Sequence, residues 1–208
     1  WQLAEKAEFL EVAYLLIYGD LPTTEQYTEF KENITKHTLA HEDMRLFFDA
    51  YPAKAHPMGI LAASLSTLST FYPESQDPNR EKNAVDLTIN RLIAKVPTLA
   101  AWAFKNAMRH PVIYPNNNLD YCENFLNMMF AMPTDDYVVD PIVSKALNKL
   151  LILHADHEQN CSTATVRVVG SSHANLYTSI AAGVSALWGP LHGGANQAVI
   201  EMLEAIKE

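Results

Sequence analysis

The composition of this 208-residue chain is that of a folded globular protein. Hydrophobic residues make up 49% and charged residues 19% of it, with seven glycines and two cysteines, which excludes a disordered tail, a collagen and a disulfide scaffold. The formal net charge of −9, without a basic stripe, argues against nucleic acids and anionic membranes as partners. A chain of this length buries roughly 70% of its unfolded surface, so no metal or disulfide staple is needed.

The cysteines and the two ends indicate the context of the chain. Cys122 and Cys161 are too few for a secreted disulfide framework and are typical of reduced thiols in a cytoplasmic protein. No charged segment followed by an apolar core opens the chain, so no signal peptide is predicted. Trp1 and Glu208 both lie inside amphipathic patterns, and we expect the chain to be an internal piece of a longer protein.

Apolar residues recur at spacings of three and four along most of the chain, which predicts amphipathic helices. Gly19 and Pro22 end the first of them, Thr23 and Gln26 form a capping box for the second, and Pro97 separates two later ones. The predicted helices span residues 2–18, 24–36, 41–50, 57–71, 79–95, 97–108, 120–131, 140–154, 176–187 and 196–206. No strand alternation is visible, so the predicted class is all-α, with about ten helices and no significant sheet.

Residues 168–200 contain no Asp, Glu, Lys or Arg. Polar residues and a proline, among them His173, Asn175 and Pro190, interrupt this stretch and leave no apolar run of 18 residues, which excludes a membrane span. The pattern instead predicts a helix at 176–187 that is buried on most sides. Such a helix lies either in a large core or at a subunit interface, and the pattern leaves both open.

His154 and His157 follow an apolar helix and begin a polar segment. The helical spacing places His154 on the same face as Leu147 and Leu150, which predicts that it is buried. Polar residues 156–163 crowd around His157, and they form either the wall of a pocket or a polar helix terminus. The order His-x-x-His-Glu differs from the His-Glu-x-x-His pattern of zinc enzymes, and we expect no metal site.

A glycine-rich segment surrounds His192. Pro190 ends the preceding apolar helix, and Gly193 and Gly194 permit close backbone approach or unusual dihedral angles. His192 is predicted just before the helix at 196–206, where the helix dipole favours a neutral imidazole. A neutral imidazole can donate a hydrogen bond to an oxygen that gains charge. The alternative is a histidine in a turn without a function.

Three segments resemble the citrate synthase family. They are residues 153–163 (LHADHEQNCST), 169–172 (VGSS) and 187–196 (LWGPLHGGAN). Their order and the separation of His157 from His192 also fit the family. Earlier segments agree, at residues 4–6, 37–38, 56–58 and 124–130. The resemblance covers essentially the whole chain and is to the bacterial branch of the family.

The resemblance implies an enzyme that condenses acetyl-CoA with oxaloacetate and water to give citrate and CoA. It implies that His192 hydrogen-bonds the thioester carbonyl and stabilises the enol or enolate. It further implies that His157 binds oxaloacetate, with Asn160 as its support and His154 near the site. Ser162 is implied to orient the His192 ring. No cofactor is implied, because acetyl-CoA is a substrate.

The family's enzymes are all-helical homodimers or higher oligomers of dimers, and the chain carries a matching feature. The helix at 176–187 presents small residues, Ala181, Ala182, Gly183 and Ala186. Small side chains let a second helix approach to the ~8–10 Å axis spacing of packed helices. We therefore expect a homodimer formed through this helix, with the same face on both copies.

The resemblance also implies that the chain holds only part of the enzyme. Residues 1–192 match the central part of the large domain, and 193–208 match the start of the small domain. The family's second catalytic His, its catalytic Asp and its carboxylate-binding arginines come later, and this chain has only five Arg. We expect no turnover from it alone. A 2-methylcitrate synthase using propionyl-CoA and, from another class, a non-catalytic helical dimerisation module are the alternatives.

Overall fold

Eleven α-helices and one short 3₁₀-helix make up the described part of the chain. The computed structural model describes residues 2–52 and 54–207, and no β-strand occurs within them. In chain order the α-helices are α1 (Gln2–Lys6), α2 (Phe9–Tyr18), α3 (Thr24–Thr35), α4 (Met44–Ala50), α5 (Pro57–Phe71), α6 (Lys82–Ala107), α7 (Tyr121–Phe130), α8 (Pro141–Leu153), α9 (Cys161–Gly170), α10 (Leu176–Leu187) and α11 (Gly194–Lys207). The 3₁₀-helix spans Pro73–Gln76. The all-α class predicted from the sequence is confirmed.

Local signals set several helix ends as predicted. Thr23 and Gln26 form the expected capping box at the start of α3, with a Thr23 N–H to Gln26 Oε1 distance of 2.8 Å. Gly19 ends α2 in the left-handed region, at φ 93°, which a glycine adopts without steric cost. The single helix predicted over 2–18 is wrong, because Glu8 and Glu11 form a second capping box that starts α2 afresh.

Pro97 does not separate two helices, contrary to the prediction. Helix α6 continues through it to Ala107, although proline lacks the N–H that would donate to the carbonyl of Ile93. The Tyr121 hydroxyl of α7 donates to that carbonyl instead, at 3.0 Å. A tertiary contact therefore supplies the hydrogen bond that the backbone of α6 cannot form.

The chain divides into two compact units, and the first comprises residues 1–54 and 86–157. One part of its core packs α2 against α3 and α6 through Leu10, Phe30, Ile34 and Ala94. A second part joins α1, α2 and α8 through Ala4, Val12 and Ile152. The apolar periodicity read from the sequence thus becomes the packed interior of this unit.

The second unit comprises residues 55–85 and 158–208, and α10 packs against both α5 and α9 within it. A Cβ on Gly183 would lie 2.6 Å from Val166 Cγ2, so the missing side chain allows α9 to approach α10 closely. Ala181 is buried beside it, whereas Ala182 and Ala186 are half-buried. The buried residues Tyr177, Ser179, Ala181 and Gly183 alternate along α10 and so lie on opposite sides of it, and only Ser185 and Leu187 are exposed. The prediction that α10 is buried on most sides therefore holds within the described chain.

Candidate functional site

The loop between α10 and α11 carries His192, whose ring lies against the first turn of α9. The Nε2 atom of His192 is 2.8 Å from the Ser162 hydroxyl oxygen. The Ser162 backbone N–H also donates to Nε2, at 3.3 Å. The same hydroxyl is 2.8 Å from the carbonyl oxygen of Gly183 on α10. The imidazole is thereby located by two helices, α9 and α10.

Only the backbone contact assigns the proton of the His192 ring, because the single proton of the Ser162 hydroxyl can go either to the Gly183 carbonyl or to Nε2. A backbone amide can only donate, so the hydrogen bond from Ser162 N–H requires a lone pair on Nε2. The neutral ring then holds its proton on Nδ1, an assignment that rests on the hydrogen-bond network. An imidazolium, which is protonated on both nitrogens, could not accept this bond. The arrangement thus suits a neutral histidine that donates from Nδ1.

His192 directly precedes α11, as the sequence predicted, but its ring contacts the terminus of a second helix, α9. α11 begins at Gly194, close to the predicted start, but the described contact of the ring is with the first turn of α9. The first-turn N–H groups of a helix have no partners within the helix. The His192 ring therefore satisfies one of them.

Helix α9 itself was missed by the sequence prediction, although Asn160 carries its signal. The Asn160 side-chain oxygen accepts a hydrogen bond from Thr163 N–H at 3.0 Å, which is a standard helix N-cap. The polar segment that begins at Asp156 thus becomes a helix start from Asn160 onward. Ser162 faces His192 because it lies in the first turn of this capped helix.

The backbone of the His192 loop folds back on the end of α10. Both His192 N–H and Gly193 N–H donate to the carbonyl oxygen of Gly189, at 3.0 and 2.9 Å. A Cβ on Gly193 would lie 1.9 Å from the carbonyl oxygen of Leu187, so no larger residue fits there without movement of the backbone. The predicted close approach at Gly193 is therefore present.

His154 and His157 belong to the first unit, where their ring centroids are 5.8 Å apart. The Nδ1 atom of His154 is 2.7 Å from the carbonyl oxygen of Leu150. Because a carbonyl can only accept, Nδ1 carries a proton and the neutral ring has its lone pair on Nε2. The structure thus pairs His154 with His157, and pairs Ser162 with His192 in the second unit.

The prediction that His154 lies on a buried face is wrong. His154 is exposed, and Leu150 on the same face is 52% exposed. α8 instead directs Asn148 and Ile152 toward the other helices of the first unit. Asn148 accepts a hydrogen bond from Phe9 N–H at 2.8 Å and donates to the Ala7 carbonyl, so it satisfies the backbone at the break between α1 and α2. The packed face of α8 therefore contains the polar Asn148, whereas the apolar pattern had predicted that the face with Leu150 and His154 is packed.

The residue that follows His157 has an unusual backbone conformation. Glu158, directly after His157, adopts a left-handed φ of 56°, a conformation that is uncommon for residues other than glycine. Within residues 2–52 and 54–207, no group of three His, Cys, Asp or Glu side chains is arranged to hold a metal ion. None of the helices in the same ranges combines the length and the hydropathy of a membrane span.

Comparison with known proteins identifies the family. The family model described as "Citrate synthase, C-terminal domain" matches residues 1–208. The chain belongs to the citrate synthase family. It is 55% identical over 207 residues to citrate synthase 1 of Mycobacterium tuberculosis, which covers all of this chain but 48% of that protein. The chain thus spans about half the length of the curated relatives it matches.

Solved citrate synthase structures share the fold. The crystal structure from Pyrobaculum aerophilum gives a TM-score of 0.86 at 33% identity, over 99% of this chain and 51% of that one. The citrate synthase of Thermoplasma acidophilum, solved as a ternary complex with carboxymethyl coenzyme A and oxaloacetate, gives 0.86 at 26% identity, over 99% and 52%. The resemblance stated from residues 153–163, 169–172 and 187–196 is confirmed at the level of the family.

Proposed function

We propose that this chain is the part of a citrate synthase that contributes His192 and His157 to the condensation of acetyl-CoA with oxaloacetate and water. The single observation that carries the proposal is the pair of contacts from Ser162 to His192 Nε2. Membership of the citrate synthase family supports it. Citrate and CoA are the products, and no cofactor takes part, since acetyl-CoA is a substrate.

In this proposal His192 donates a hydrogen bond from Nδ1 to the thioester carbonyl of acetyl-CoA. When a base removes a methyl proton, the carbonyl oxygen gains negative charge as the enolate forms. A fixed donor aimed at that oxygen stabilises it without further reorganisation. No described residue hydrogen-bonds Nδ1, which leaves this nitrogen available to a substrate.

His157 and Asn160 are proposed to bind oxaloacetate, with His154 beside them. A histidine that donates to the ketone oxygen of oxaloacetate would polarise the carbonyl carbon that the enolate attacks. Asn160 uses its side-chain oxygen to cap α9, so its NH₂ group remains the part of the side chain that can donate to a carboxylate. The His154 role is the least direct of the three.

The remaining parts of the machinery are proposed to come from other segments of the enzyme. The chain covers 48% of the Mycobacterium tuberculosis relative, and its five Arg are few for binding a substrate with several carboxylates. General-base catalysis needs a carboxylate within hydrogen-bond reach of the methyl group. We therefore expect turnover from the full-length protein that carries this sequence, and none from these residues alone.

His192→Ala in that full-length protein tests the proposal. Removing one preorganised donor to a developing oxyanion typically lowers kcat by ~10²–10³. His110→Ala, which changes an exposed histidine outside the site, is the matched control and should retain wild-type kcat. If His192→Ala stays within a few-fold of wild type while its circular dichroism is unchanged, the assigned role is wrong.

His157→Gln tests the separate role in oxaloacetate binding. The variant should raise the KM for oxaloacetate far more than the KM for acetyl-CoA, because the substituted group is proposed to contact only the former. Equal weakening of both would contradict the assignment. Assays with propionyl-CoA in parallel decide between citrate synthase and 2-methylcitrate synthase, since one methylene contributes only ~1–3 kcal/mol of discrimination.

We also propose that the protein is a homodimer paired through α10. Ala182 and Ala186 on α10 are half-buried, whereas Ala181 and Gly183 are buried, and small side chains favour close helix approach. Ala186→Asp would place a charge in that contact, where an unpaired buried charge costs several kcal/mol. Sedimentation of the wild type as a well-folded monomer at micromolar concentration would exclude the proposal.

A further inference from the structure

The indole of Trp188 lies on helix α5 at a position where that helix has no side chain. An ideal Cβ on Gly59 would be 3.1 Å from Cη2 and 3.2 Å from Cζ3 of the indole, closer than ordinary van der Waals contact. The ring therefore takes up the space that a side chain at position 59 would need. Gly59 allows Trp188 to lie directly against the backbone of α5.

A second ring holds the indole in place. His56 is the N-cap residue of α5, and its imidazole stacks on Trp188 with a centroid distance of 5.2 Å and an interplanar angle of 26°. The His56 Nδ1 atom accepts a hydrogen bond from Met58 N–H at 3.2 Å, which fixes the imidazole relative to α5. Trp188 is thus attached to α5 by two contacts, although 49% of it remains exposed.

The same tryptophan begins the loop that carries His192. Trp188 is the C-cap residue of α10, and its N–H donates to the Val184 carbonyl at 3.1 Å. The next residue, Gly189, accepts the hydrogen bonds from His192 and Gly193 that close the loop. Only one tight turn therefore separates the anchored indole from the His192 ring, and a shift of Trp188 moves the backbone on which His192 is held.

We propose that Trp188 is a positioning residue for His192, and that Gly59 and His56 act on the reaction through Trp188. The inference rests on the proposed function, in which the His192 ring meets the thioester carbonyl. In that case α5 is the third helix that locates the ring, beside α9 through Ser162 and α10 through the loop. A misplacement of about 1 Å can lower turnover by about 10²-fold, so a contact remote from the substrates has a measurable effect.

Gly59→Ala in the full-length protein is the first test. The added methyl group would press on the indole, and we expect kcat to fall by about tenfold or more while the KM for oxaloacetate stays within about twofold. Gly170→Ala is the matched control, because a Cβ there would meet only Ser179 Oγ, at an ordinary 3.9 Å. Both changes replace a helical glycine with alanine. If the two variants have the same kcat, the inference is overturned.

A double-mutant cycle tests whether Gly59 acts through Trp188. Gly59→Ala should lower kcat in the wild type but have little further effect in a Trp188→Leu background, where no indole is displaced. An undiminished loss in that background would contradict the inference. Should Gly59→Ala fail to fold, Trp188→Phe and Trp188→Leu are compared instead. The Phe variant keeps a ring on α5 and should retain a higher kcat than the Leu variant. Equal activity of the two variants would overturn the proposal.

The same experiments separate this inference from the proposed function. If His192→Ala lowers kcat by ~10²–10³ while the Gly59 and Trp188 variants leave kcat unchanged, only the positioning role fails. If His192→Ala keeps a kcat within a few-fold of wild type, the function itself fails. A change in the intrinsic tryptophan fluorescence that occurs in Gly59→Ala, but neither in Gly170→Ala nor in the Trp188→Leu background, reports that the indole of Trp188 has moved. An unchanged spectrum counts against the inference.

Discussion

Replacing Tyr121 with Phe tests how the chain keeps Pro97 inside a continuous helix. The Tyr121 hydroxyl donates to the Ile93 carbonyl at 3.0 Å, and this carbonyl cannot receive the usual hydrogen bond because Pro97 has no N–H. Phenylalanine keeps the ring, which stacks on Phe9 at 5.4 Å, and removes only the hydroxyl. A carbonyl left without a partner should lower the free energy of unfolding by ~1–3 kcal/mol.

Repeating Tyr121→Phe in a Pro97→Ala protein tests whether the hydroxyl compensates for the proline. In Pro97→Ala the amide of residue 97 can donate to Ile93, so Tyr121→Phe should then change the free energy of unfolding by only ~0.5 kcal/mol or less. Urea denaturation of the four proteins, followed by circular dichroism, measures the coupling. Tyr137→Phe, at an exposed tyrosine, is the control. Equal effects of Tyr121→Phe in the two backgrounds would refute the argument.

Three further changes probe the site and the core. Ser162→Ala should lower kcat by about tenfold, or ~1.4 kcal/mol. Ser185→Ala is the control and should leave kcat unchanged, because among the described contacts the Ser185 hydroxyl bonds only the Ala181 carbonyl. Gly193→Ala should lower kcat by about 10²-fold because its Cβ would overlap the Leu187 carbonyl. Gly194→Ala should be tolerated, because its Cβ would meet only Pro190, at 3.8 Å. Equal kcat in the two variants would contradict this structural reason. Burial, with a contribution from Arg91, lowers the pKa of Lys95 from 10.5 to about 8. Between pH 8 and 10.5 the unfolded chain therefore binds more protons than the folded one, and the free energy of unfolding rises with pH by up to ~3 kcal/mol. That rise should be missing in Lys95→Met, as measured by urea denaturation from pH 7 to 11.

The helices that the sequence predicted well are those whose ends carry local signals. Thr23 and Gln26 define the start of α3, Gly19 defines the end of α2, and Pro57 opens α5. The interruption predicted at Pro97 failed because the compensating hydroxyl, that of Tyr121, lies far along the chain. Sequence spacing measures only neighbours along a helix, so a hydrogen bond between α6 and α7 cannot be read from it.

In the candidate site, too, some features were predicted from the sequence and others were missed. The motif at 187–196 pointed to His192, and the loop closes on Gly189 as the glycines suggested. Asn160 was read as one residue of a polar segment rather than as an N-cap, so α9 was missed, although Thr163 at the N3 position is the local partner that reveals such a cap. The burial predicted for His154 failed because Asn148 takes the packing face of α8 to satisfy backbone groups of another helix.

The location of His192 at the start of α9 has a chemical consequence that its position before α11 would not have. Had the ring merely preceded its own helix, the dipole would act on it without fixing which nitrogen carries the proton. Contact with a first-turn amide does fix it, because Ser162 N–H must find a lone pair and Nε2 supplies it. The free nitrogen, Nδ1, is then the donor in the neutral ring, and the backbone N–H of residue 162 sets this assignment.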